Sequence, residues 1–230
     1  MHREEKGLSG SALKWIAIVS MFIDHAAYIF IEKNPHLSEE WNFFAIILRE
    51  IGRLAFPLFC FTLVQGAIYT RDRKKYFARL LLFAVISEVP FDLAFFDAPW
   101  YPAYQNVFFT LAMGLLAIYA LDYFKEKQVL SWGIVIVLMI VAECMHTDYG
   151  ADGIVLIVLF YVFRMEEKKL VLFSGFYEIF LMGIAEAGAI FAFIPMHFYN
   201  GKRGMGMKYF FYLFYPLHLL VFALIHMNCH

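Results

Sequence analysis

Hydrophobic stretches long enough to cross a lipid bilayer recur along the whole sequence, and this pattern limits the folds open to the chain. Of its 230 residues, 62% are hydrophobic and 17% are charged, whereas a soluble domain is roughly 45–50% apolar. The hydrophobic blocks lie at 12–31, 53–70, 76–95, 106–123, 129–146, 150–164, 170–195 and 208–227. Each approaches the roughly 20 residues that a transmembrane helix needs. We therefore predict an all-α transmembrane bundle of about eight spans, forming one domain over 1–230.

The segments between these blocks are short and polar, so no soluble domain is inserted. The first block follows a charged leader but is too long for a signal-peptide core, and we expect it to remain as a span. The segment "WNFFAIILREIG" (41–52) is shorter and amphipathic. It is typical of a helix lying at the membrane interface before the second span.

The distribution of lysine and arginine predicts the orientation in the membrane, because cytoplasmic loops are enriched in both. With a cytoplasmic N-terminus and eight spans, thirteen of the cations fall inside and six elsewhere. We therefore expect both termini to be cytoplasmic. The loop "YNGKRG" would then lie outside. Its Lys202 and Arg203, and the nearby Lys208, would be exceptions to the enrichment of cations on the cytoplasmic side.

Net charge and cysteine content exclude several classes of function. The formal net charge is -1, and no basic tail is present, so we expect no nucleic-acid partner. Three cysteines, widely separated, give no disulfide framework. The closing "HMNCH" lacks the paired spacing of a zinc site, and we predict no metal.

The strongest functional signal is the pair Asp24 and His25 inside the first block, since an ionisable residue within a span costs about 2.5–3.5 kcal/mol unless it faces a cavity or a partner. Lys14 lies eleven residues earlier, on the same helix face and about 16 Å away along the axis. Histidine is suited to proton exchange near neutral pH or to accepting an acyl group. The alternatives are a core histidine satisfied by another helix and, for Asp24, an ion pair with Arg53.

A basic cluster follows the second span, in "GAIYTRDRKKYFARLLLF". Its cations are Arg71, Arg73, Lys74, Lys75 and Arg79. Such a cluster can bind the phosphates of a cofactor through charge-assisted hydrogen bonds. It can equally fix topology or contact anionic lipid, which charge alone favours.

Further polar residues recur four positions apart and predict a pocket on the outer side. Arg53 is expected there as an ion-pair partner of Glu88 or Asp92. Pro216 is expected to kink the last span near His218. We assign the following residues to an acceptor-binding pocket: Arg53, Glu88, Asp92, Asn106, Asp148, Asp152, Asn200, Arg203 and His218.

Several segments together resemble the TraX family of membrane proteins. They are "LKWIAIVSMFIDH", "IGRLAFPLFCFTLVQGAIYTRDRKKYFARLLLFAVISEVPFDLAF", "NVFFTLAMGLLAIY", "DYGADGI", "YNGKRG" and "FYLFYPLHLL". A looser resemblance links the first span to integral-membrane acyltransferases of cell-envelope sugars, where Lys14 stands in place of an arginine and His25 matches a histidine. Lysine cannot make the bidentate phosphate contact of arginine.

The resemblance implies an acetyl-CoA-dependent acyltransferase in the bacterial cytoplasmic (inner) membrane. Lys14 and the basic cluster would hold the phosphates of acetyl-CoA, and His25 with Asp24 would be catalytic, with His25 either a general base or a transient carrier of the acetyl group. The partners would be membrane lipid and an acyl acceptor, which is a peptide amine, a glycan or a small molecule.

Two other functions use the same buried polar residues. A small transporter or lipid-handling protein would use them as a pathway. A non-catalytic interaction protein would use them to join its helices. Binding of CoA separates the acyltransferase from both.

Overall fold

The computed structural model describes residues 7–34, 37–180, 182 and 184–229, and these form a helical bundle. The helices are α1 (Gly10–Ala27), α2 (Glu39–Gly52), α3 (Ala55–Tyr69), α4 (Arg73–Phe96), α5 (Val107–Tyr123), α6 (Gln128–Cys144), α7 (Gly150–Val162), α8 (Glu167–Phe180), α9 (Phe193–His197) and α10 (Lys208–Cys229). A π-helical turn (Tyr28–Glu32) extends α1, and a 3₁₀ segment (Ile184–Ala192) precedes α9. The predicted all-α fold is confirmed for the described residues.

Short polar side chains start several of the helices. The Ser9 hydroxyl accepts from the Ala12 N–H at 3.3 Å, and the Asp72 carboxylate accepts from the Lys75 N–H at 2.9 Å. Each satisfies an N–H that the first helical turn leaves without a partner. Asp97 ends α4 in the left-handed conformation, with φ 55°, which commonly terminates a helix.

Contacts between helix ends give the direction of each segment. The pairs are Lys33 with Asp97, Arg73 with Asp122, Thr110 with Thr147, Tyr177 with Asp152 and His197 with Glu167. Each pair places the end of one segment beside the start or end of another. Successive segments therefore run antiparallel, where α2 and α3 count as one segment. We call the end of the bundle where α1 begins the N-terminal end.

The loop containing "YNGKRG" lies at the N-terminal end, beside the start of α1. The Leu8 N–H donates to the Phe198 carbonyl at 2.8 Å, and the Ser11 N–H donates to the Arg203 carbonyl at 3.0 Å. The prediction that this loop and the N-terminus lie on opposite sides is therefore corrected.

The correction follows from the predicted span at 170–195. Helix α8 runs away from the N-terminal end, and the 3₁₀ segment with α9 returns to it, where His197 Nδ1 lies 2.6 Å from Glu167 Oε1. The single predicted span is thus an antiparallel pair. Helix α10 consequently ends at the opposite end, where His226 Nε2 lies 3.9 Å from Asp97 Oδ1, and not at the N-terminal end as predicted.

Three helical stretches are long and apolar enough to cross a membrane: Gly10–Glu32, Glu39–Tyr69 and Lys208–Asn228. Four shorter apolar helical stretches accompany them: Val107–Tyr123, Gln128–Cys144, Gly150–Val162 and Ala187–His197. The predicted amphipathic segment 41–52 lies in α2, which packs on α1 and is part of the second long stretch. Its position at the membrane interface stays a prediction.

Candidate functional site

His25 opens into a cavity of about 670 Å³ inside the bundle. Its walls come from helices α1 to α7, the loop after α6, and Tyr215 of α10. We call this the main cavity. Its wall is aromatic on one side, through Phe91, Phe95 and Phe96, and polar on the other.

A chain of two hydrogen bonds orients the imidazole of His25. Nδ1 of His25 lies 2.7 Å from Nε2 of His218, and Nδ1 of His218 lies 2.7 Å from the carbonyl oxygen of Phe214. The two rings are coplanar to within 1°. A carbonyl oxygen only accepts, so His218 Nδ1 carries a proton and the Nε2 of neutral His218 accepts from His25 Nδ1–H.

This arrangement leaves Nε2 of neutral His25 without a proton. Within the described chain no hydrogen bond engages that nitrogen, and the residue lines the main cavity. Nε2 can therefore accept a proton from, or attack, a molecule in the cavity.

Asp24 is held in an ion pair beside His25. Its Oδ2 accepts from Nη1 of Arg49 at 2.8 Å, and Arg49 also lies over the Tyr28 ring. The predicted partner was Arg53, which lines the same cavity. The sequence analysis did not predict Arg49 as a site residue. A signal was present, because Arg49 is a cation in an apolar segment.

Three predicted polar residues, Glu88, Asp92 and Asn106, join helices and loops. Glu88 accepts from the Asn106 N–H at 3.1 Å, and Asp92 accepts from the Tyr101 N–H at 2.7 Å. The ion pair of either residue with Arg53 stays a prediction. Thr110 donates to Thr147 at 3.1 Å. Because Glu88, Asp92 and Asn106 lie outside the lining of the main cavity, their contacts shape its surroundings.

Asp148 and Asp152 lie at the open side of the main cavity. Tyr104 donates to Asp148 at 3.4 Å. Burial, followed by the nearby negative charge of Asp24, raises the pKa of Asp148 to about 6. Asp152 accepts from the Tyr177 hydroxyl at 2.5 Å.

The cavity wall also contains His146, which is left-handed at φ 49°. It lies in the loop after α6, and no periodic pattern in the sequence marked it.

A second, narrow cavity of about 80 Å³ adjoins the main one on the side of the N-terminal end. Four residues line both cavities: Met21, Phe59, Val107 and Tyr215. Lys14 and Lys208 line the narrow cavity at the other side. Lys14, Met21 and His25 thus follow one route through the bundle.

The predicted basic cluster divides into four residues at the surface, 71 and 73–75, and Arg79, which contacts tyrosines inside the bundle. Arg73 pairs with Asp122, and Lys75 Nζ lies 3.2 Å from Asp72 Oδ2. Arg71 and Lys74 are exposed. Arg79 lies behind the wall of the narrow cavity, in contact with Tyr76 and Tyr212 that line it.

Asn200 and Arg203 do not lie at the main cavity, where the sequence placed them. The Asn200 side chain donates to the Gly7 carbonyl at 3.0 Å, at the N-terminal end. Among the described residues, no group of three His, Cys, Asp or Glu side chains could hold a metal ion, and His230 of the closing "HMNCH" lies outside them.

These features define a helical membrane protein built around a hydrogen-bonded histidine pair. The model of the TraX protein family matches residues 9–226, and the chain belongs to that family. It is 30% identical to a probable fimbrial assembly protein, FimC of serogroup H1, from Dichelobacter nodosus, over 92% of this chain and 93% of that protein. No solved structure matches the chain.

Proposed function

We propose that the protein is a membrane acyltransferase that moves an acetyl group from cytoplasmic acetyl-CoA to an amine or hydroxyl that enters from the opposite side. The observation that carries the proposal is the orientation of His25. Its Nδ1 is engaged by His218 at 2.7 Å, so Nε2 is directed to the main cavity as a proton acceptor.

Acetyl-CoA would supply the acetyl group as a thioester, whose carbonyl carbon is the electrophile. Nε2 of His25 takes the proton from the acceptor as the acceptor atom bonds to that carbon. It returns the proton to the sulfur as the carbon–sulfur bond breaks. The proton and the acetyl group are thereby both accounted for, and His25 ends as it began. In the alternative role, Nε2 itself carries the acetyl group briefly.

Asp24 takes no direct part in the proposed proton transfer. It pairs with Arg49 and lies next to His25 in the chain, and both line the main cavity. We infer that the pair positions α1 against α2 and supplies fixed charges beside the reacting atoms.

The narrow cavity is suited to the donor. Its volume is about 80 Å³ and Lys14 lines it, so we assign it to the slender acyl-carrying arm. Arg79 adds a guanidinium whose buried Nε has no hydrogen-bond partner. Positive groups at the entrance match the phosphates of CoA.

The distribution of charge supports a cytoplasmic N-terminal end. Of the 17 lysines and arginines in the described ranges, 14 lie at that end. Lys33, Arg49 and Arg53 are the other three within those ranges. This asymmetry is larger than the sequence-based orientation gave, because the "YNGKRG" loop joins the cationic side. The donor would then enter from the cytoplasm of a bacterium and the acceptor from outside.

The open side of the main cavity favours an acceptor with an amine. Glu143, Asp148 and Asp152 line it, and carboxylates attract an ammonium group. The resemblance to a fimbrial assembly protein supports a peptide amine in a fimbrial subunit. Hydroxyls of a glycan or a small molecule are the other acceptors to compare.

A second function, a small transporter or lipid-handling protein, is favoured by one observation. The two cavities share four lining residues, which gives a route through the bundle that a transported molecule could follow.

The test uses detergent-purified full-length protein with acetyl-CoA and a short peptide with a free N-terminus. Release of CoA thiol and acetylation of the peptide measure transfer, and the shift of melting temperature measures binding. Wild type should bind and transfer, His25→Gln should bind without transferring, and Arg79→Gln should bind weakly. His197→Gln, which changes an exposed histidine bonded to Glu167, is the control and should match wild type. A folded wild type with no response to millimolar acetyl-CoA would favour the transporter.

A further inference from the structure

Four cations from four separate parts of the chain converge at the entrance of the narrow cavity. Lys14 and Lys208 line it. Arg203 lies beside the first turn of α1, where its carbonyl accepts from the Ser11 N–H at 3.0 Å. Arg79 contacts Tyr76 and Tyr212 in the cavity wall. We call these four residues the entrance cluster. The sequence pointed to two of them, Lys14 and Arg79, as donor-binding residues.

In the part of the chain that the structure describes, Asp72 is the acidic residue whose charge reaches the entrance cluster, at Arg79. Among the described residues, none of its four members forms an ion pair. The contrast is with Arg73 and Lys75 of the same cationic end, which pair with Asp122 and Asp72. Four cations held close together repel one another, so a bound anion would stabilise the arrangement.

The loop that carries Arg203 is held in place by the start of α1. The Gly10 N–H donates to the Lys202 carbonyl at 2.8 Å, and the Met205 N–H donates to the Ser11 hydroxyl at 2.9 Å. Gly204 has φ 74°, and a Cβ there would overlap the hydroxyls of Ser9 and Ser11. The sequence of the loop therefore fixes Arg203 beside the first helix.

The cavity behind the cluster is apolar and leads inward. Lys14 Nζ lies 5.6 Å from the centre of the Phe211 ring, and Leu63, Leu80 and Leu111 continue the wall. A ligand that fits has a charged phosphate head and a thin chain. Both a nucleotide thioester and a phospholipid have this chemistry.

We propose that Arg203 and Lys208 complete, with Lys14 and Arg79, a phosphate-binding site for the diphosphate of the acyl donor. This assignment rests on the proposed function. It moves the phosphate contacts from the predicted run 71–75 to the loop at 198–207 and the first turn of α10.

The test compares Arg203→Gln and Lys208→Gln with Lys168→Gln, an exposed lysine at the same end of the bundle. Each full-length protein is titrated with CoA and, separately, with pantetheine, which lacks the phosphates. Melting temperatures without ligand establish that each variant is folded. In a third measurement, each protein is melted in nanodiscs of phosphatidylglycerol and of phosphatidylcholine.

We expect the Kd for CoA to rise about tenfold or more in both cluster variants, as loss of a charge-assisted bond requires, and to stay unchanged in Lys168→Gln. Pantetheine should bind all four proteins alike. Equal CoA affinity in the wild type and in both cluster variants would overturn the site while leaving the proposed function intact.

Two other results would also overturn the assignment. Absence of CoA binding to wild type would remove the proposed function and this site together. A phosphatidylglycerol-dependent gain in stability that the cluster variants lose, without a CoA response, would assign the cluster to a lipid headgroup.

Discussion

Nδ1 of His25 lies 2.7 Å from Nε2 of His218, a bond that joins α1 to α10 across 193 residues of sequence. The bond sets the tautomer of His25 because His218 is itself oriented by the Phe214 carbonyl. The base of the proposed reaction therefore depends on a residue that need not touch the substrate. His218, which the sequence assigned to acceptor binding, becomes a positioning residue.

Replacing His218 separates positioning from packing. His218→Ala removes the acceptor for His25 Nδ1–H and should lower kcat for acetyl transfer about a hundredfold, within the range of general-base effects. His218→Gln offers an amide oxygen in its place and should recover part of that loss. The KM for acetyl-CoA should change little in both, because the donor site lies on the other side of His25. Equal losses in both variants, accompanied by lower melting temperatures, would indicate a structural role only.

The Asp24–Arg49 pair should contribute to stability through mutual neutralisation. Its side chains are 15% and 22% exposed, so Arg49→Met leaves a largely buried carboxylate and should reduce the free energy of unfolding by up to about 3 kcal/mol. The double variant Asp24→Asn/Arg49→Met should recover most of this loss. Unfolding in mixed micelles of increasing SDS content measures both. A double variant no more stable than Arg49→Met would contradict the pairing.

The sequence identified the residues that are energetically unfavourable inside a membrane. His25 and Asp24 stood out because a polar pair in an apolar helix needs a cavity or a partner, and both line the main cavity. The hydrogen-bond and ion-pair partners of these two residues could not be predicted from the sequence. His218 and Arg49 come from other helices, and helical periodicity relates residues only within one helix.

The topology prediction was wrong at one place, for a physical reason. A hydropathy window treats 170–195 as one span, since both legs of the pair formed by α8 and the following 3₁₀ segment are apolar. The turn between them contributes no charge to mark it. One extra leg reverses the side of everything that follows, which is why "YNGKRG" was expected at the wrong end of the bundle.

Gly52 allows α2 to approach α1 next to Asp24. A Cβ at Gly52 would overlap the Cβ of Asp24, so Gly52→Ala should destabilise the fold by about 1–3 kcal/mol. Gly133 in α6 is the matched control, because nothing lies within 4 Å of a Cβ built there. Gly133→Ala should leave stability unchanged or raise it by up to about 1 kcal/mol through helix propensity. SDS unfolding curves of the two variants give the comparison, and equal effects would contradict the close packing.

Asp148 should make stability depend on pH at the open side of the main cavity. Its pKa is raised to about 6, chiefly by burial, from an ordinary value of 3.8. The folded state therefore holds this proton more tightly than the unfolded state. The resulting stabilisation is present below pH 4 and is lost as the pH rises through 6.

Asp148→Asn removes this titration while keeping an oxygen that can accept from Tyr104. The variant should gain stability relative to wild type as the pH rises from 4 to 7, by at most about 3 kcal/mol at about 1.4 kcal/mol per pH unit. Unfolding free energies at pH 4, 5, 6 and 7 for the two proteins measure the difference. A difference that stays constant across this range would mean that Asp148 titrates at its ordinary pKa, and that burial does not raise the pKa in the folded protein.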